Sequence, residues 1–300
     1  MRNRFGSWIA EKVNSRSDIY LLSGDIGFGL FDELIENNPE RFINCGIAEQ
    51  NMIGVSAGLA AQGITPFVYT IIPFLIYRPY EFIRNLVAHQ GLKIVLVGVG
   101  GGFSYDNLGF THYAKEDLIL AATLPNFKIY TPYDVPSAEY CFNAALENDS
   151  ASYVRLMKGG EENLPRVKTL PGAEIICDFG DQFTVMTHGS ICWQVLGAVE
   201  ALNVDGIAGK LIAIWDYQNL TEIMQHARGS IIFVEEHISP GLLMPHFWEK
   251  TNGTKDVYFF GISKNCDNHV GSREEILTQH GLDSRSLYLK IKSKIQGHSV

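Results

Sequence analysis

The stretch RFINCGIAEQNM, residues 41–52, decides how the rest of this chain is interpreted. Its apolar start predicts a short strand, Gly46 predicts a turn, and Glu49 opens a helix. Small side chains then recur at helical spacing, at Gly54, Ala57, Gly58 and Ala61. Because small side chains let a second helix approach closely, we expect this helix to be buried and Glu49 to lie out of water.

Glu49 has two interpretations at this position. A carboxylate in the first turn of a helix interacts favourably with the helix dipole and needs no further role. A buried carboxyl group, by contrast, is costly unless it is paired or protonated, because desolvation favours the neutral form. A group of the second kind can hold or lend a proton, whereas an ionised carboxylate in water does so poorly.

The composition bounds the class of protein. With 300 residues, 46% of them hydrophobic and 19% charged, the chain is long enough for two globular domains. The net charge of −9 gives no reason to expect nucleic acid or an anionic membrane as a partner. Five cysteines, an odd number without a CxxC pair, predict reduced thiols and a cytoplasmic location. We expect neither a signal peptide nor a membrane span, because no apolar run is long enough.

Apolar strands and helical segments alternate along the first half of the chain. This alternation predicts an α/β fold with a parallel sheet that is covered by helices on both faces. Besides the helix that Glu49 opens, helices are predicted at 3–14, Pro79 to His89, 115–122 and 134–147. Besides the short strand before Gly46, strands are predicted at Ile19–Leu22, Pro66–Thr70, Lys93–Val99, Phe127–Thr131 and Ser152–Leu156. Asp25 and Ile26 follow the first of these strands, where open α/β sheets bind ligands, although an ordinary turn explains them equally well.

Glycines, prolines and scattered charges follow the first domain. They predict domains at 1–160 and 182–300 that are joined by a linker at 161–181. The second domain is again predicted to be α/β, with helices near its end and a polar tail at 290–300. Its other predicted elements are strands at Phe183–Thr187, Leu211–Ile214 and Ile231–Val234 and a helix at 191–202.

The longer stretch FINCGIAEQNMIGVSAGLAAQG, residues 42–63, resembles the glutamate motif in the pyrimidine-binding domain of transketolase-family enzymes, which use thiamine diphosphate. The resemblance implies that Glu49 hydrogen-bonds N1′ of the cofactor's aminopyrimidine and so helps to remove the C2 proton of the thiazolium. It also implies that Asp25 and Ile26 lie near the cofactor. A neutral or proton-sharing carboxyl group suits this role, which favours the second interpretation of Glu49.

A second resemblance follows the strand at Pro66–Thr70. The family has a T-F-x-x-F pattern here, whose aromatic rings stack on the pyrimidine. Thr70 and Phe74 fit this pattern, and Ile71 replaces its first aromatic residue. The resemblance implies that Phe74 is the stacking ring and that Ile71 and Tyr77 lie beside the cofactor. Taken alone, Phe74 is better explained as a core residue, and it is the matching context that favours the stacking role.

A glycine-rich loop follows Val99 and leads to Gly109-Phe110-Thr111-His112. Its spacing matches neither a dinucleotide-binding fingerprint nor a P-loop. The last four residues resemble the G-P-T-H of transketolases, with Phe110 in place of proline. The resemblance implies that His112 contacts the hydroxyl groups of the donor sugar and moves protons, which suits histidine chemistry near pH 7. A structural histidine is the alternative.

The positions that contact substrate in transketolases differ here. Gly100 stands where they keep a phosphate-contacting histidine, Leu108 where an aspartate reads stereochemistry, and Gly29 where a serine contacts phosphate. Arg2 and Lys158 can still hold an anion, since Lys158 falls where transketolases carry a phosphate-binding arginine; a solvated lysine is the alternative. The departures imply an altered acceptor site, with a modified or nucleotide-linked sugar as a candidate substrate.

The resemblance extends to about residue 265, because THGSICWQVLGAVEAL and IIFVEEHISPGLL resemble the C-terminal domain of transketolases. Complete transketolases begin with another domain, whose GDG…N motif holds the diphosphate through Mg²⁺. The GD at 24–25 lacks the second glycine, so we predict no metal site in this chain. The resemblance implies a split enzyme, in which a partner subunit supplies the diphosphate half and the Mg²⁺ ligands, with α2β2 as the expected assembly.

The predicted activity is the transfer of a two-carbon ketol unit between sugars by a transketolase-like transferase. Three alternatives stay open: a 1-deoxyxylulose-5-phosphate synthase-like enzyme, a 2-oxo acid dehydrogenase β-like subunit, and a non-catalytic pairing subunit. The sequence Thr-His-Tyr at 111–113 favours transketolase over the dehydrogenase. A pairing subunit is expected to have lost its cofactor site, whereas Glu49, Phe74 and His112 are all present.

Overall fold

A computed structural model of the chain describes residues 1–239, 241–243, 256–264 and 270–297. The chain divides into two compact units. The first comprises Met1–Gly101, Asp117–Tyr130 and Val135–Glu161. The second comprises Gly102–Glu116, Thr131–Asp134 and Glu162–Val300. Two short segments from the first half of the chain therefore belong to the second unit, which the sequence pattern does not predict.

A six-stranded sheet forms the centre of the first unit, and every neighbouring pair of its strands is parallel. Its order is β2-β1-β3-β4-β6-β5. Most of its residues are buried, as expected for strands that helices cover on both faces. The strands are β1 (Ile19–Ser23), β2 (Phe42–Asn44), β3 (Thr65–Ile71), β4 (Val95–Val99), β5 (Phe127–Tyr130) and β6 (Ala151–Leu156). The helices are α1 (Arg2–Ser15), α2 (Asp32–Asn37), α3 (Glu49–Ala60), α4 (Tyr80–Phe82), α5 (Asp117–Ala122) and α6 (Val135–Glu147).

The parallel registers bring several strand ends to one edge of this sheet. Ser23, the last residue of β1, pairs with Asn44 in β2 and with Tyr69 in β3. Ile71 at the end of β3 pairs with Val99 at the end of β4. The loops that follow these strands therefore leave the sheet on the same side, which is the side where α/β sheets bind ligands.

The helical stretch after β3 differs from the prediction. The sequence predicts a helix from Pro79 to His89, but helical turns begin at Pro73. They include two π-helical segments, Pro73–Tyr77 and Ile83–Ala88. The amide of Arg78 donates to the carbonyl of Pro73 in a wide turn. The predicted start of the helix rested on Pro79 alone, because proline is common in the first turn of a helix. A proline does not indicate a π-helical turn, which is a geometry often found at functional sites.

The second unit contains a mixed sheet in the order β12-β11-β9-β10-β8-β7. The pairs among β12, β11, β9 and β10 are parallel, whereas β8 is antiparallel to both β10 and β7. The strands are β7 (Lys168–Leu170), β8 (Ala173–Asp178), β9 (Phe183–Thr187), β10 (Gly209–Ile214), β11 (Ser230–Ile238) and β12 (Val257–Ile262). The α/β class predicted for both domains is confirmed.

Two of these strands, β7 and β8, lie inside the segment 161–181 that the sequence predicts as a linker. Pro171 and Gly172 form the tight turn between them, and Gly172 has the positive φ of 77° that such a turn requires. The glycines and prolines thus mark a hairpin turn rather than an open connection. The residues from Ala173 to Cys177 are buried within the second sheet, so the segment is structured throughout these strands.

The helices among the described residues of the second unit are α7 (Cys192–Val204), α8 (Leu220–Met224), α9 (Arg273–Gln279) and α10 (Ser284–Gln296). The α10 helix covers most of the tail that the sequence predicts as only a polar end. The helix is amphipathic, with Leu287 and Ile291 buried on one face and lysines at other positions. The many lysines make the segment polar on average, so its composition does not reveal the apolar face. Across the described ranges, none of the helices is long and apolar enough to cross a membrane.

Candidate active site

Glu49 is the first residue of α3, at the edge of the sheet where β2 ends. Only 2% of the residue is exposed. Its Oε2 accepts a hydrogen bond of 2.7 Å from Nη1 of Arg78, whose side chain is 43% exposed. Glu49 is buried as expected, but the small-residue stripe does not bury the helix, because Gly54 is half-buried and Gly58 and Ala61 are exposed. The buried carboxylate is compensated by a cation at the protein surface.

The guanidinium of Arg78 also lies over the ring of Phe74, with its central carbon 4.6 Å from the ring centroid. A planar group with N–H donors thus stacks on an aromatic face and donates to a buried carboxylate. We call these three residues the Glu49–Arg78–Phe74 cluster. An aminopyrimidine presents the same two features, a flat face and nitrogen atoms in the ring plane, so the cluster's geometry fits such a ring.

A second feature of the site is the buried hydroxyl of Thr70. Its Oγ1 has no hydrogen-bond partner among the residues that the structure describes. A Cβ added at Gly24 would come within 3.0 Å of this oxygen, so a side chain at position 24 would crowd it. An orphaned buried hydroxyl at the edge of the sheet is typical of a site that receives a polar ligand.

Asp25 and Ile26 follow β1 at the same edge and are half-buried. Asp25 has a φ of 59°, in the left-handed region that residues other than glycine seldom adopt. Its Oδ1 accepts a hydrogen bond of 3.0 Å from the Asn44 amide. The hydroxyl of Ser23 donates to the carbonyl of Ile26 at 2.6 Å. This turn is therefore held by specific hydrogen bonds, in a backbone region that Asp adopts more readily than most residues.

The other predicted cofactor residues lie on the same side of the first unit. Ile71 ends β3, and Tyr77 ends the π-helical turn that carries Phe74. Both are half-buried. Both side chains are therefore partly accessible to a ligand.

The predicted substrate residues of the first unit differ in exposure. Gly100 is buried with a φ of 98°, and its amide donates to the carbonyl of Leu156 at 2.8 Å. Arg2 is half-buried, and its Nε is buried without a partner in the described part of the chain. Lys158 is exposed, just after β6. A buried guanidinium nitrogen without a partner is consistent with an anion site at Arg2.

His112 belongs to the second unit and is half-buried. Its Nδ1 lies 2.9 Å from Oγ1 of Thr111. Burial lowers the pKa of His112 below its usual value. The imidazole is therefore mostly neutral near pH 7, the form that accepts a proton.

The predicted cofactor residues all belong to the first unit, as do Arg2, Gly100 and Lys158, whereas His112 belongs to the second. Among them, the structure links Glu49 to Phe74 through Arg78. Arg78 was missed by the sequence interpretation. Its spacing of four residues from Phe74 was a possible signal, because residues four apart share a helix face. Among the described residues, no group of three or more His, Cys, Asp or Glu side chains could hold a metal ion.

The comparisons with known proteins agree with the geometry. The family model described as the transketolase pyrimidine-binding domain matches residues 1–160. A protein of Methanocaldococcus jannaschii named as a transketolase C-terminal section is 27% identical over 99% of this chain and 96% of its own length. One subunit of the apulose-4-phosphate transketolase of Phocaeicola vulgatus is 27% identical over 95% of this chain and 94% of its own length.

A solved structure is similar over almost its whole length. It is described as a split gene transketolase, an inactive β4 tetramer, and it matches with a TM-score of 0.83 and 25% identity. The match covers 98% of this chain and 98% of that chain.

Proposed function

Because this chain belongs to the transketolase family, we propose that it supplies the pyrimidine-binding half of a split, thiamine diphosphate-dependent transketolase-like enzyme. The observation that carries the proposal is the Glu49–Arg78–Phe74 cluster. A carboxylate that is 2% exposed is linked through Arg78 to an aromatic ring, where the parallel strands end and α/β sheets bind ligands.

The roles of the first unit follow from this cluster. Glu49 holds or shares a proton at N1′ of the aminopyrimidine, and Phe74 stacks on the ring. Asp25, Ile26, Ile71 and Tyr77 line the cofactor; Thr70 offers the hydroxyl that lacks a partner in the described part of the chain. When bound, thiamine diphosphate supplies the electron sink that carbon–carbon bond cleavage needs.

His112 has a separate role in the proposal. Its neutral imidazole takes a proton from a hydroxyl group of the donor sugar and returns it to the product. Burial lowers the pKa of His112, so this base is present at and somewhat below pH 7.

A partner subunit is proposed to complete the active site. Within the described ranges, no group of three or more His, Cys, Asp or Glu side chains could hold a metal ion. A diphosphate in a protein is usually neutralised by a bound cation, so the partner is proposed to hold the diphosphate and Mg²⁺. Two copies of each subunit, α2β2, are the proposed assembly, and subunit names among the relatives support a divided enzyme.

The proposed substrates are sugars or sugar phosphates, with a modified sugar favoured. Gly100, Leu108 and Gly29 replace side chains that transketolases direct at their substrates. Arg2 and Lys158 supply cationic groups for an anionic substituent. A relative named for apulose 4-phosphate, rather than for a common pentose phosphate, supports an altered acceptor.

A substrate panel tests this proposal. The complex of this chain with its partner is expected to transfer a two-carbon unit, with kcat/KM for at least one modified sugar exceeding that for xylulose 5-phosphate with ribose 5-phosphate. The physical reason is the missing phosphate and hydroxyl contacts at Gly100 and Leu108, each of which contributes about 1 kcal/mol or more when present. Ketol transfer that is best with xylulose 5-phosphate and ribose 5-phosphate would contradict the substrate assignment. Absence of any ketol transfer would contradict the activity.

Arg78 provides a prediction about cofactor binding. Replacing Arg78 with methionine is expected to lower the Kd of the complex for thiamine diphosphate by roughly tenfold. Arg78 is hydrogen-bonded to Glu49 and stacked on Phe74, the two residues that are proposed to bind the aminopyrimidine. The aminopyrimidine must therefore displace Arg78 from both. Isothermal titration calorimetry of the complex measures the change.

The matched control is Arg84→Met. Arg84 is an exposed arginine on the same helical stretch, and its Nη1 donates to Asn85 at 2.8 Å. This variant is expected to bind the cofactor as the unmodified complex does. Weaker binding by Arg78→Met than by Arg84→Met would show that Arg78 supports the cofactor instead of competing with it.

A further inference from the structure

The loop that carries His112 is closed on itself at its base. Gly102 and Ala114 exchange two backbone hydrogen bonds, with N···O distances of 2.9 and 3.0 Å. Residues 103–113 between them are called the His112 loop. Although the loop lies in the first half of the chain, it belongs to the second unit, as does the whole of 102–116. Residues far along the sequence must therefore hold it.

The first of these is Glu236 in β11, which is 1% exposed. Its Oε1 accepts the backbone N–H of Phe103, the first residue of the loop, at 2.8 Å. Its Oε2 accepts the hydroxyl of Ser190 at 2.8 Å and pairs with the guanidinium of Arg273. Burial opposes ionisation, but the charge and hydrogen bonds of Arg273 prevail and lower the pKa of Glu236. The acceptor is therefore an ionised carboxylate with its bonding capacity filled.

Arg273 makes a second link to the loop. Its backbone N–H donates to Oδ2 of Asp106 at 3.1 Å. The carbonyl of Asp106 in turn accepts the hydroxyl of Tyr113 at 2.7 Å. Tyr113 follows His112 directly in the sequence. This chain of hydrogen bonds therefore connects Arg273, through Asp106, to the residue next to His112. Each bond fixes loop backbone that would otherwise be free to move.

Aromatic packing and a close approach complete the attachment. The ring of Phe103 stacks on His280 with centroids 5.2 Å apart, and it meets Tyr113 edge-on at 5.0 Å. Gly102 has a φ of 61°, and a side chain there would overlap the carboxyl group of Glu236. The carboxylate thus lies directly against the loop's base, where only glycine fits.

From these contacts we infer that Glu236, together with Arg273, is a positioning residue that fixes the loop and thereby the location of His112. The second unit then has a specific task in catalysis, which is to hold a proton-transfer group at a fixed place. This inference rests on the proposed function for the role of His112, but the attachment itself does not. Misplacement of a catalytic group by about 1 Å lowers a rate by roughly a hundredfold, so a loosened loop should be visible in kcat.

Hydrogen exchange on the purified chain tests the attachment independently of activity. Glu236→Gln is expected to raise the exchange rate of the peptide spanning 102–116 by about tenfold or more, because the ion pair with Arg273 is lost. The matched control is Glu235→Gln. Glu235 is the neighbouring buried carboxylate, and it accepts from His188 and from the amides of Leu242 and Leu243, outside the loop. Its replacement is expected to leave exchange at 102–116 within about twofold.

Arg273 supplies a second pair of variants if Glu236→Gln does not fold, since its side chain is 23% exposed. Arg273→Met is expected to loosen the loop, and Arg273→Lys, which keeps the charge, is expected to retain most of the protection. In the complex with its partner, Arg273→Met should lower kcat by about tenfold to a hundredfold and change KM for the donor by less than about threefold.

The titration of the His112 imidazole by NMR in the purified chain is a third readout. Burial lowers the pKa of His112, so loosening the loop should raise that pKa toward the ordinary value of histidine. Unchanged exchange at 102–116 and an unchanged His112 titration in Arg273→Met would overturn the inference, as would equal loosening by Glu235→Gln. If ketol transfer fails while exchange and titration respond as expected, the attachment stands and the proposed function does not.

Discussion

Replacing Glu49 with glutamine is expected to lower kcat/KM of the complex by at least about a hundredfold to a thousandfold, or about 3 kcal/mol or more of transition-state stabilisation. Glutamine keeps the size of the side chain and can still form a hydrogen bond. It cannot hold a proton that is shared with N1′ of the pyrimidine. Because Glu49 is buried, no water molecule from bulk solvent takes over this task.

The matched control for this variant is Glu36→Gln. Glu36 is an exposed glutamate in α2, so its replacement removes the same charge without touching the cluster. Steady-state kinetics of both variants, each mixed with the partner at saturating thiamine diphosphate, give the comparison. A loss smaller than about threefold for Glu49→Gln would favour the non-catalytic pairing subunit, since a scaffold does not need the carboxyl group.

The second large effect concerns the partner. The purified chain alone is expected to show no ketol transfer above background and no tight binding of thiamine diphosphate. Its own groups fit the aminopyrimidine, whereas the cation that neutralises the diphosphate is proposed to be held by the partner. In addition, Arg78 is hydrogen-bonded to Glu49 and stacked on Phe74 in the free chain, so it competes with the aminopyrimidine for both residues.

Mixing with the diphosphate-binding subunit is expected to create activity, with a maximum at equal molar amounts. Titration of one subunit into the other, followed by activity and by sedimentation velocity, measures both the stoichiometry and the α2β2 assembly. The partner assayed alone is the control. Robust turnover by this chain without a partner would refute the divided site, and a complex of another stoichiometry would refute only the assembly.

Several features could be predicted from the sequence because they depend on local patterns. The alternation of apolar strands with amphipathic helices specifies a parallel sheet, and this fold class is confirmed by the first unit and by the related structures. The burial of Glu49 is found as predicted, but not for the predicted reason, since Gly54 is half-buried and Gly58 and Ala61 are exposed. The alternation of strands and helices is a periodicity that one sequence shows directly.

Other features could not be predicted, because they depend on contacts between distant residues. Nothing near Arg78 in the sequence indicates that its guanidinium meets Glu49, which is 29 residues away. The attachment of Phe103 to Glu236 spans 133 residues. In the segment 161–181, Pro171 and Gly172 mark a hairpin turn, and composition alone does not distinguish a turn inside a sheet from a linker.

The role of Glu49 can be seen directly in a structure of the complex with thiamine diphosphate bound. We expect a carboxyl oxygen of Glu49 to lie about 3 Å from N1′ of the aminopyrimidine, with Phe74 stacked on the ring and Arg78 displaced from both. This role would be contradicted by an aminopyrimidine bound elsewhere, with Glu49 still paired to Arg78.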